Sequence, residues 1–158
     1  MDTQRIGRVR SPHTNQEGTP IQPAFGADTE VTRVEIDAPY REGLADLAGY
    51  GRVWLLTWLD RAPAYRARVV PYRDTVERGL FSTRAPCRPN PVGLSCVELR
   101  GVDVANGLLT LGPCDLLDGT PVIDVKPYVP AADAFPDAAP GWFGDGDTGR
   151  RQADDRFE

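Results

Sequence analysis

The fold class follows first from residues 53–59, which read Val-Trp-Leu-Leu-Thr-Trp-Leu. A run of this length is too short for a buried helix, and its β-branched and aromatic side chains favour a strand in the core. No pattern of alternating strands and helices accompanies it. We therefore do not expect a parallel sheet of the Rossmann type.

Seven further segments on both sides of this run are predicted to be strands. Alternating polarity and β-branched content between turn signals mark residues 6–9, 31–36, 66–70, 79–82, 92–102, 108–111 and 122–128. The dipeptide Asn106-Gly107 between two of them is a strong hairpin signal. Residues 41–47 predict one short helix, with Leu44 and Leu47 on one side. Many short strands with little helix indicate a barrel or a sandwich.

The chain has 158 residues, which suits one domain with its own core. We expect that domain to occupy residues 1–143. Residues 144–158 are rich in Gly, Asp and Arg and have almost nothing to bury, which predicts a disordered tail. No apolar run approaches the ~20 residues of a membrane helix, and residues 1–10 lack the apolar region of a signal peptide. We therefore expect a cytoplasmic protein that does not associate with membranes.

The reactive side chains exclude several classes of site. Three cysteines occur without a CxxC pair, and His13 is the only histidine. An odd number of cysteines argues against a disulfide framework, and zinc needs about four N, S or O ligands. A Ser-His-Asp or Cys-His device also has little support. We expect no metal, and if the protein is an enzyme, a cosubstrate should bring the reactive group.

Arginine is concentrated in the middle of the chain. Between positions 61 and 88 there are seven arginines, which only Asp74 and Glu77 oppose. The planar guanidinium suits phosphate, whereas the net charge of −5 argues weakly against a nucleic-acid partner. The concentration of arginine is therefore compatible with a phosphate-binding surface and equally with an ordinary solvated surface.

Two segments are unusually dense in special residues. Residues 79–95 contain three prolines within six positions, which stiffen a loop that carries Arg84, Arg88 and Asn90. Rigid polar groups suit a binding site because little entropy is lost on binding; the alternative is a rigid surface turn. Residues 115–128 place three aspartates near a lysine and a tyrosine. These residues suggest the floor of a polar pocket, although each aspartate alone is more typical of a turn or cap; they are Asp115, Asp118, Asp124, Lys126 and Tyr128.

These two segments resemble a known family. Residues 79–95, GLFSTRAPCRPNPVGLS, and residues 116–130, LLDGTPVIDVKPYVP, resemble the two signatures of the TsaA-like family, known from the TrmO-type tRNA methyltransferases. The opening IGRVRSP at 6–12, followed by TPIQ at 19–22, resembles the start of that family. The resemblance runs from about residue 6 to about residue 134. It implies a compact antiparallel β-barrel that forms a homodimer, in the short form without a further C-terminal domain.

The resemblance also implies an activity. It predicts S-adenosyl-L-methionine bound near the dimer interface, and methyl transfer to N6 of a threonylcarbamoyl-modified adenosine at position 37, in the tRNA anticodon loop. The cosubstrate is expected against Pro20, Ile21, Gln22, Leu59, Asp60, Arg84, Leu94, Asp115, Leu116, Leu117 and Asp118. Asp60 and Asp118 are the candidate catalytic residues, as acceptors of the N6 proton. The substrate is expected at Arg88, Asn90, Lys126 and Tyr128.

One departure from the family pattern leaves alternatives open. Members commonly carry an aromatic residue and a histidine at the end of the central strand, where this chain has Leu59-Asp60. The missing histidine favours two other functions: methylation of a small molecule, which the acidic net charge also favours, and a non-catalytic module that binds the cosubstrate.

Overall fold

The core of this computed structural model is a closed barrel of six antiparallel strands, as the sequence predicts. The strands follow around the barrel in the order β1-β2-β7-β6-β3-β8, and β1 pairs with β8 to close it. Two short strands, β4 and β5, form a separate ribbon. The strand bounds are Gly7–Arg10, Thr32–Ile36, Arg52–Trp58, Arg68–Val69, Arg78–Gly79, Val92–Asp103, Leu108–Leu111 and Pro121–Pro127 for β1 to β8.

The structure describes residues 2–145 and 147–158. Met1, which was expected in the barrel domain, and Gly146, which was expected in the tail, lie outside the described residues. Within the described ranges, no helix is long and apolar enough to cross a membrane.

All helical segments among the described residues are short. Two four-residue α-helices, α1 and α2, span Pro130–Asp133 and Trp142–Asp145. The 3₁₀ turns are Pro23–Phe25, Ala38–Leu44, Leu47–Gly49, Leu80–Ser82 and Asp155–Phe157.

The structure corrects two predicted elements. The helix expected at 41–47 is split into two 3₁₀ turns because Asp46 adopts a left-handed conformation with φ 65°. Leu44 and Leu47 are nevertheless both buried, as their spacing predicts. The strand expected at 79–82 ends at Gly79, because the next three residues turn.

The barrel interior is filled by alternate strand residues, because successive side chains in a strand point to opposite faces. In β3, Val53 and Leu55 are fully buried, whereas Trp54, Leu56 and Trp58 face outward. The other strands contribute the remaining fully buried apolar residues, which are Val9, Val34, Val97, Leu109, Leu111 and Val122.

Strand pairing brings the end of β3 beside the start of β6. The two strands pair from Arg52 opposite Glu98 to Trp58 opposite Val92, and the Leu59 N–H then donates to the Pro91 carbonyl at 2.8 Å. Gly93 is required within this pair, because a Cβ there would lie 2.3 Å from Thr57 Oγ1. The predicted hairpin between β6 and β7 is confirmed, with Gly107 at φ 68°.

The last residues pack against the body of the chain, in contrast to the disordered tail that composition predicts. Residues 147–158 form a segment that we call the C-terminal strap. Ala153 and Phe157 are 9% and 2% exposed, and Phe157 belongs to a second apolar cluster with Val69, Leu80, Ala85 and Cys87. Composition did not predict this packing because both apolar residues of the strap are buried despite their small number. The strap backbone also forms hydrogen bonds to the body of the chain.

Candidate functional site

A groove of about 670 Å³ opens at one end of the barrel. In an antiparallel barrel, the ends of β1, β3 and β7 lie beside the starts of β2, β6 and β8, so the connecting loops converge there. The groove is lined by parts of residues 16–24, 59–62, 83–88, 92–96 and 115–120. Its volume is within the ~300–1,000 Å³ that is usual for small-molecule sites.

This groove brings together most of the residues that the sequence predicts for the cosubstrate. Ten of the eleven line it, although they are spread over nearly a hundred positions of the chain; they are Pro20, Ile21, Gln22, Leu59, Asp60, Arg84, Leu94, Asp115, Leu116 and Leu117. Their function in binding stays a prediction, but all ten residues line a single groove.

Asp118 does not line this groove, unlike the other ten residues predicted for the cosubstrate. Its carboxylate accepts a hydrogen bond from the Ser11 N–H at 3.1 Å, and its own N–H donates to the His13 carbonyl at 2.7 Å. Arg61 donates to the Asp118 carbonyl. Asp118 is therefore a turn residue that ties residues 11–13 to the loop before β8, as aspartate commonly is beside a glycine.

Asp60, the other candidate for a catalytic carboxylate, does line the groove. It follows β3 on the turn where the Asp60 N–H donates to the Trp58 carbonyl at 2.9 Å. The residue is exposed, and its carboxylate has no protein hydrogen-bond donor within the described ranges.

Asp115 is the most perturbed carboxylate in the groove. Its Oδ1 accepts a hydrogen bond from Ser95 Oγ at 2.6 Å, and the thiol of Cys114 is 3.8 Å away. Burial raises the pKa of Asp115 to about 6, and the Ser95 hydrogen bond and the Arg84 charge act in the opposite direction. A carboxyl that changes charge near neutral pH inside a groove is typical of functional sites.

Arg84 projects from the stiffened loop across the groove. The loop is turned by Leu80–Ser82, and Thr83 Oγ1 donates to the Leu80 carbonyl at 2.8 Å. Arg84 Nη1 donates to Gln22 Oε1, which joins this loop to residues 19–22 on the opposite wall. The Arg84 side chain is exposed, and this single contact leaves further guanidinium N–H groups to face a ligand.

The four residues predicted for the substrate divide into two pairs. Arg88 and Tyr128 line the groove, whereas Asn90 and Lys126 do not. Asn90 is exposed, and Lys126 pairs with Asp124 at 2.8 Å on the outside of the barrel. Arg88 Nη1 is directed at the carbonyls of residues 80, 83 and 85, at 3.0–3.4 Å. Arg88 therefore braces the loop in addition to lining the groove.

Most of the concentrated arginines are bound to the protein itself. Arg61 donates to the carbonyls of residues 14 and 118. Three others form ion pairs, Arg68 with Glu77, Arg73 with Asp147, and Arg78 with Asp74. The Arg78 contact lowers the pKa of Asp74. The concentration of arginine thus stabilises loops and leaves fewer guanidinium groups for phosphate than the sequence suggests.

Sequence reasoning missed several residues of the groove. Ser95, which donates a hydrogen bond to Asp115, is the last residue of the first quoted signature. Strand alternation places it on the same buried face of β6 as Val97, and a hydroxyl on that face is the signal that could have indicated it. Trp54 lines the groove from the outer face of β3. Ala153 and Phe157 of the strap also line it, and no pattern in the sequence indicates them.

Comparison with known proteins places this geometry in a family. Residues 8–134 match the family described as "tRNA-methyltransferase O N-terminal domain". The chain is 39% identical over 138 residues to a Pyrococcus abyssi protein named "Probable S-adenosyl-L-methionine-binding protein". This alignment covers 87% of this chain and 73% of that protein. It is 36% identical over 144 residues to an Escherichia coli protein named "tRNA (adenine(37)-N6)-methyltransferase". That alignment covers 86% of this chain and 61% of the Escherichia coli protein.

A solved structure shares the fold. The crystal structure titled TrmO from Pseudomonas aeruginosa superposes with a TM-score of 0.76 at 38% identity, over 89% of this chain and 61% of that one. The chain spans 38% of the length of a similar Archaeoglobus fulgidus protein, at 39% identity over 90% of this chain. Because the family match extends over most of the barrel and the folds agree, this chain belongs to the family of the tRNA-methyltransferase O N-terminal domain.

Proposed function

We propose that the chain binds S-adenosyl-L-methionine in the groove and methylates N6 of adenosine 37 of tRNA, in its threonylcarbamoyl-modified form. The observation that carries this proposal is the convergence of ten predicted cosubstrate residues on one groove, with Arg84 and Asp115 inside it. The names of the relatives support both the cosubstrate and the tRNA acceptor. A tRNA substrate also agrees with the cytoplasmic location that the sequence predicts.

The groove offers complementary chemistry to each part of the cosubstrate. Arg84 supplies a guanidinium for an amino-acid carboxylate, which it matches as a planar fork. Asp115 supplies a carboxylate that favours a positively charged sulfonium when it is ionised. Leu94 and Leu116 supply apolar wall. When bound, the cosubstrate supplies a methyl carbon that forms a bond to nitrogen as its bond to sulfur breaks, with the electron pair remaining on sulfur.

The protein must then orient the acceptor and accept its proton. N6 of a carbamoylated adenosine is a weak nucleophile because its lone pair is delocalised, and it loses a proton when the new bond forms. Asp115 is the acceptor that the structure favours, since a base is most effective when its pKa lies near the working pH and that of Asp115 is about 6. Asp60, exposed at the groove, is the second candidate.

An aromatic ring beside the groove suits an unpaired base. Phe81 is 75% exposed, and the Arg88 guanidinium lies 5.4 Å from its ring centroid. Exposed phenylalanines of this kind stack on bases in single-stranded loops. We propose Phe81 as the platform for a base of the anticodon loop, and Tyr128, which packs edge-on against Trp54 at 5.6 Å, as part of the opposite wall.

One observation favours a second candidate function. The Pyrococcus abyssi relative, of which the chain covers 73%, is named as a binding protein, whereas the Escherichia coli relative named as a tRNA methyltransferase is longer. Leu59 and the exposed Asp60 also replace the aromatic residue and the histidine of the common pattern. The second candidate is binding of the same cosubstrate with a small-molecule acceptor or with no acceptor.

The proposed function is tested by methyl transfer to tRNA. With radiolabelled cosubstrate and chelator-treated protein, we expect label in tRNA that already carries threonylcarbamoyladenosine, and mass spectrometry of its nucleosides should place the methyl group at N6. Transcripts without the modification are the control. Binding of the cosubstrate without transfer to tRNA would favour the second candidate, and a strict metal requirement would contradict the proposed site.

Arg84→Lys should reduce transfer strongly without disturbing the fold. Lysine keeps the charge but loses the fork, and a charged hydrogen bond contributes about 1.5–3 kcal/mol, which corresponds to roughly ten- to a hundredfold in affinity or rate. Calorimetry with the cosubstrate measures the binding share of this loss. Arg66→Lys is the matched control, because Arg66 is exposed and forms no side-chain hydrogen bond among the described residues. Unaltered affinity and rate in Arg84→Lys would show that the loop is only scaffold.

The activity should depend on the ionisation of Asp115. If the ionised form is required, kcat/KM should rise about tenfold per pH unit below pH 6 and level off above it, because burial raises the pKa of Asp115 to about 6. Asp115→Asn should abolish this rise of kcat/KM with pH and lower the rate by about a hundredfold or more. Asp124→Asn, outside the groove, is the control and should keep the profile. A profile that is unchanged in Asp115→Asn would assign the rise to another group.

We also propose a homodimer, as the resemblance implies. The outer face of β3 and β6 presents apolar residues, with Val92 and Leu94 38% and 56% exposed beside Leu56, and Leu94 also lines the groove. Light scattering at micromolar concentration should give twice the chain mass, and Leu56→Asp should give monomers, since charge is unfavourable in an interface core. Val104→Asp, at an exposed position after β6, should remain dimeric. A monomeric parent protein would contradict the proposal.

A further inference from the structure

The C-terminal strap touches both walls of the groove. The family match ends at residue 134, so the strap lies outside the part of the chain that the family describes. Ala153 and Phe157 nevertheless line the same groove as Arg84 and Pro20. Its contacts therefore bear on the geometry of the proposed cosubstrate site.

The first contact is a short antiparallel ladder with residues 18–21. The Gly18 N–H donates to the Ala153 carbonyl at 3.0 Å, the Ala153 N–H donates to the Thr19 carbonyl at 2.8 Å, and the Ile21 N–H donates to the Arg151 carbonyl at 2.9 Å. Pro20 lies opposite Gln152, where no ladder hydrogen bond is made and its missing N–H costs nothing. The strap thus supplies a strand partner to a loop that no strand of the barrel pairs within the described ranges.

The second contact anchors the strap below the loop that carries Arg84. Phe157 packs edge-on against Tyr72 with ring centroids 5.0 Å apart, in the cluster that contains Leu80, Ala85 and Cys87. Burial is the largest of the causes that raise the pKa of Tyr72, so its phenol stays neutral at working pH.

Polar bonds hold this anchor at its edge. Gln16 donates to Tyr72 Oη at 2.6 Å, and Tyr72 donates to the Asp154 carbonyl at 3.3 Å. Arg156 donates to the Pro71 carbonyl at 2.8 Å and to the Asp154 carboxylate, which lowers the pKa of Asp154. Ionised Asp154 and Arg156 therefore keep the last turn closed at neutral pH.

We propose that the C-terminal strap is a positioning element of the cosubstrate site, which holds residues 18–21 so that Gln22 meets Arg84. This inference rests on the proposed function. A loop of this length without a partner samples many conformations, and the apparent affinity of a site falls in proportion to the fraction of molecules in which it is assembled. The strap raises that fraction by pairing the loop and by anchoring it to the wall that it faces.

Two variants test the strap at different points. Ala153→Pro removes the N–H that bonds Thr19, and Phe157→Ala removes the anchor. Gln152→Ala is the matched control, because the Gln152 side chain is exposed and forms no hydrogen bond among the described residues. Hydrogen exchange of the Gly18 and Ile21 amides reports the ladder in the unliganded protein, the Leu55 amide in β3 reports the fold, and calorimetry with S-adenosylhomocysteine reports the site.

In Ala153→Pro we expect exchange at Gly18 and Ile21 to accelerate more than tenfold while Leu55 stays protected, and the affinity for S-adenosylhomocysteine to fall about three- to tenfold. Phe157→Ala should act in the same direction, and Gln152→Ala should match the parent. Faster exchange with unchanged affinity would overturn the inference, since the strap would then be packing alone. Tighter binding would also overturn it, since the strap would then obstruct the groove. A parent protein that does not bind S-adenosylhomocysteine would instead overturn the proposed function.

Discussion

The geometry of the groove depends on the unbroken pairing of β3 with β6. A slip of one residue would turn Val53 and Leu55 outward and bring Trp54 and Leu56 into the barrel, because side chains alternate along a strand. Two fully buried apolar residues and the close approach of Gly93 to Thr57 oppose that slip. The register that they select places the end of β3 against the start of β6, where the groove begins.

Rigidity at the groove comes from loops that are bonded to one another more than from the barrel. The loop around Arg84 is stiffened by prolines, braced by Arg88 and underlain by the second apolar cluster. The opposite wall, residues 18–22, is held by Arg84 from one side and by the strap from the other. Fixed polar groups lose little entropy on binding, so these contacts favour recognition of a small, charged cosubstrate.

The arginines between positions 61 and 88 have two functions that the sequence does not distinguish. Most arginines between positions 61 and 88 are bonded to carbonyls or carboxylates of the same chain, and they order the loops. Arg84, with Gln22 as its single hydrogen-bond partner within the described ranges, keeps donors for a ligand. Asp115 lies in the same groove, and burial raises its pKa to about 6. A proposed nucleic-acid substrate must therefore be positioned by few arginines together with exposed rings such as Phe81.

The sequence by itself determined an all-β fold, the hairpin at Gly107 and nearly every strand, because those depend on local alternation and turn chemistry; the choice of a barrel over a sandwich came from the family resemblance. The family resemblance also implied ten cosubstrate residues that line one groove. Tertiary structure decided what spacing along the chain cannot show: that Asp118 holds a turn, that Arg88 braces a loop, and that Ser95 bonds Asp115. It also decided the order of the strap, whose two apolar residues are too few to predict burial. Their burial depends on cavities that form only when distant segments meet.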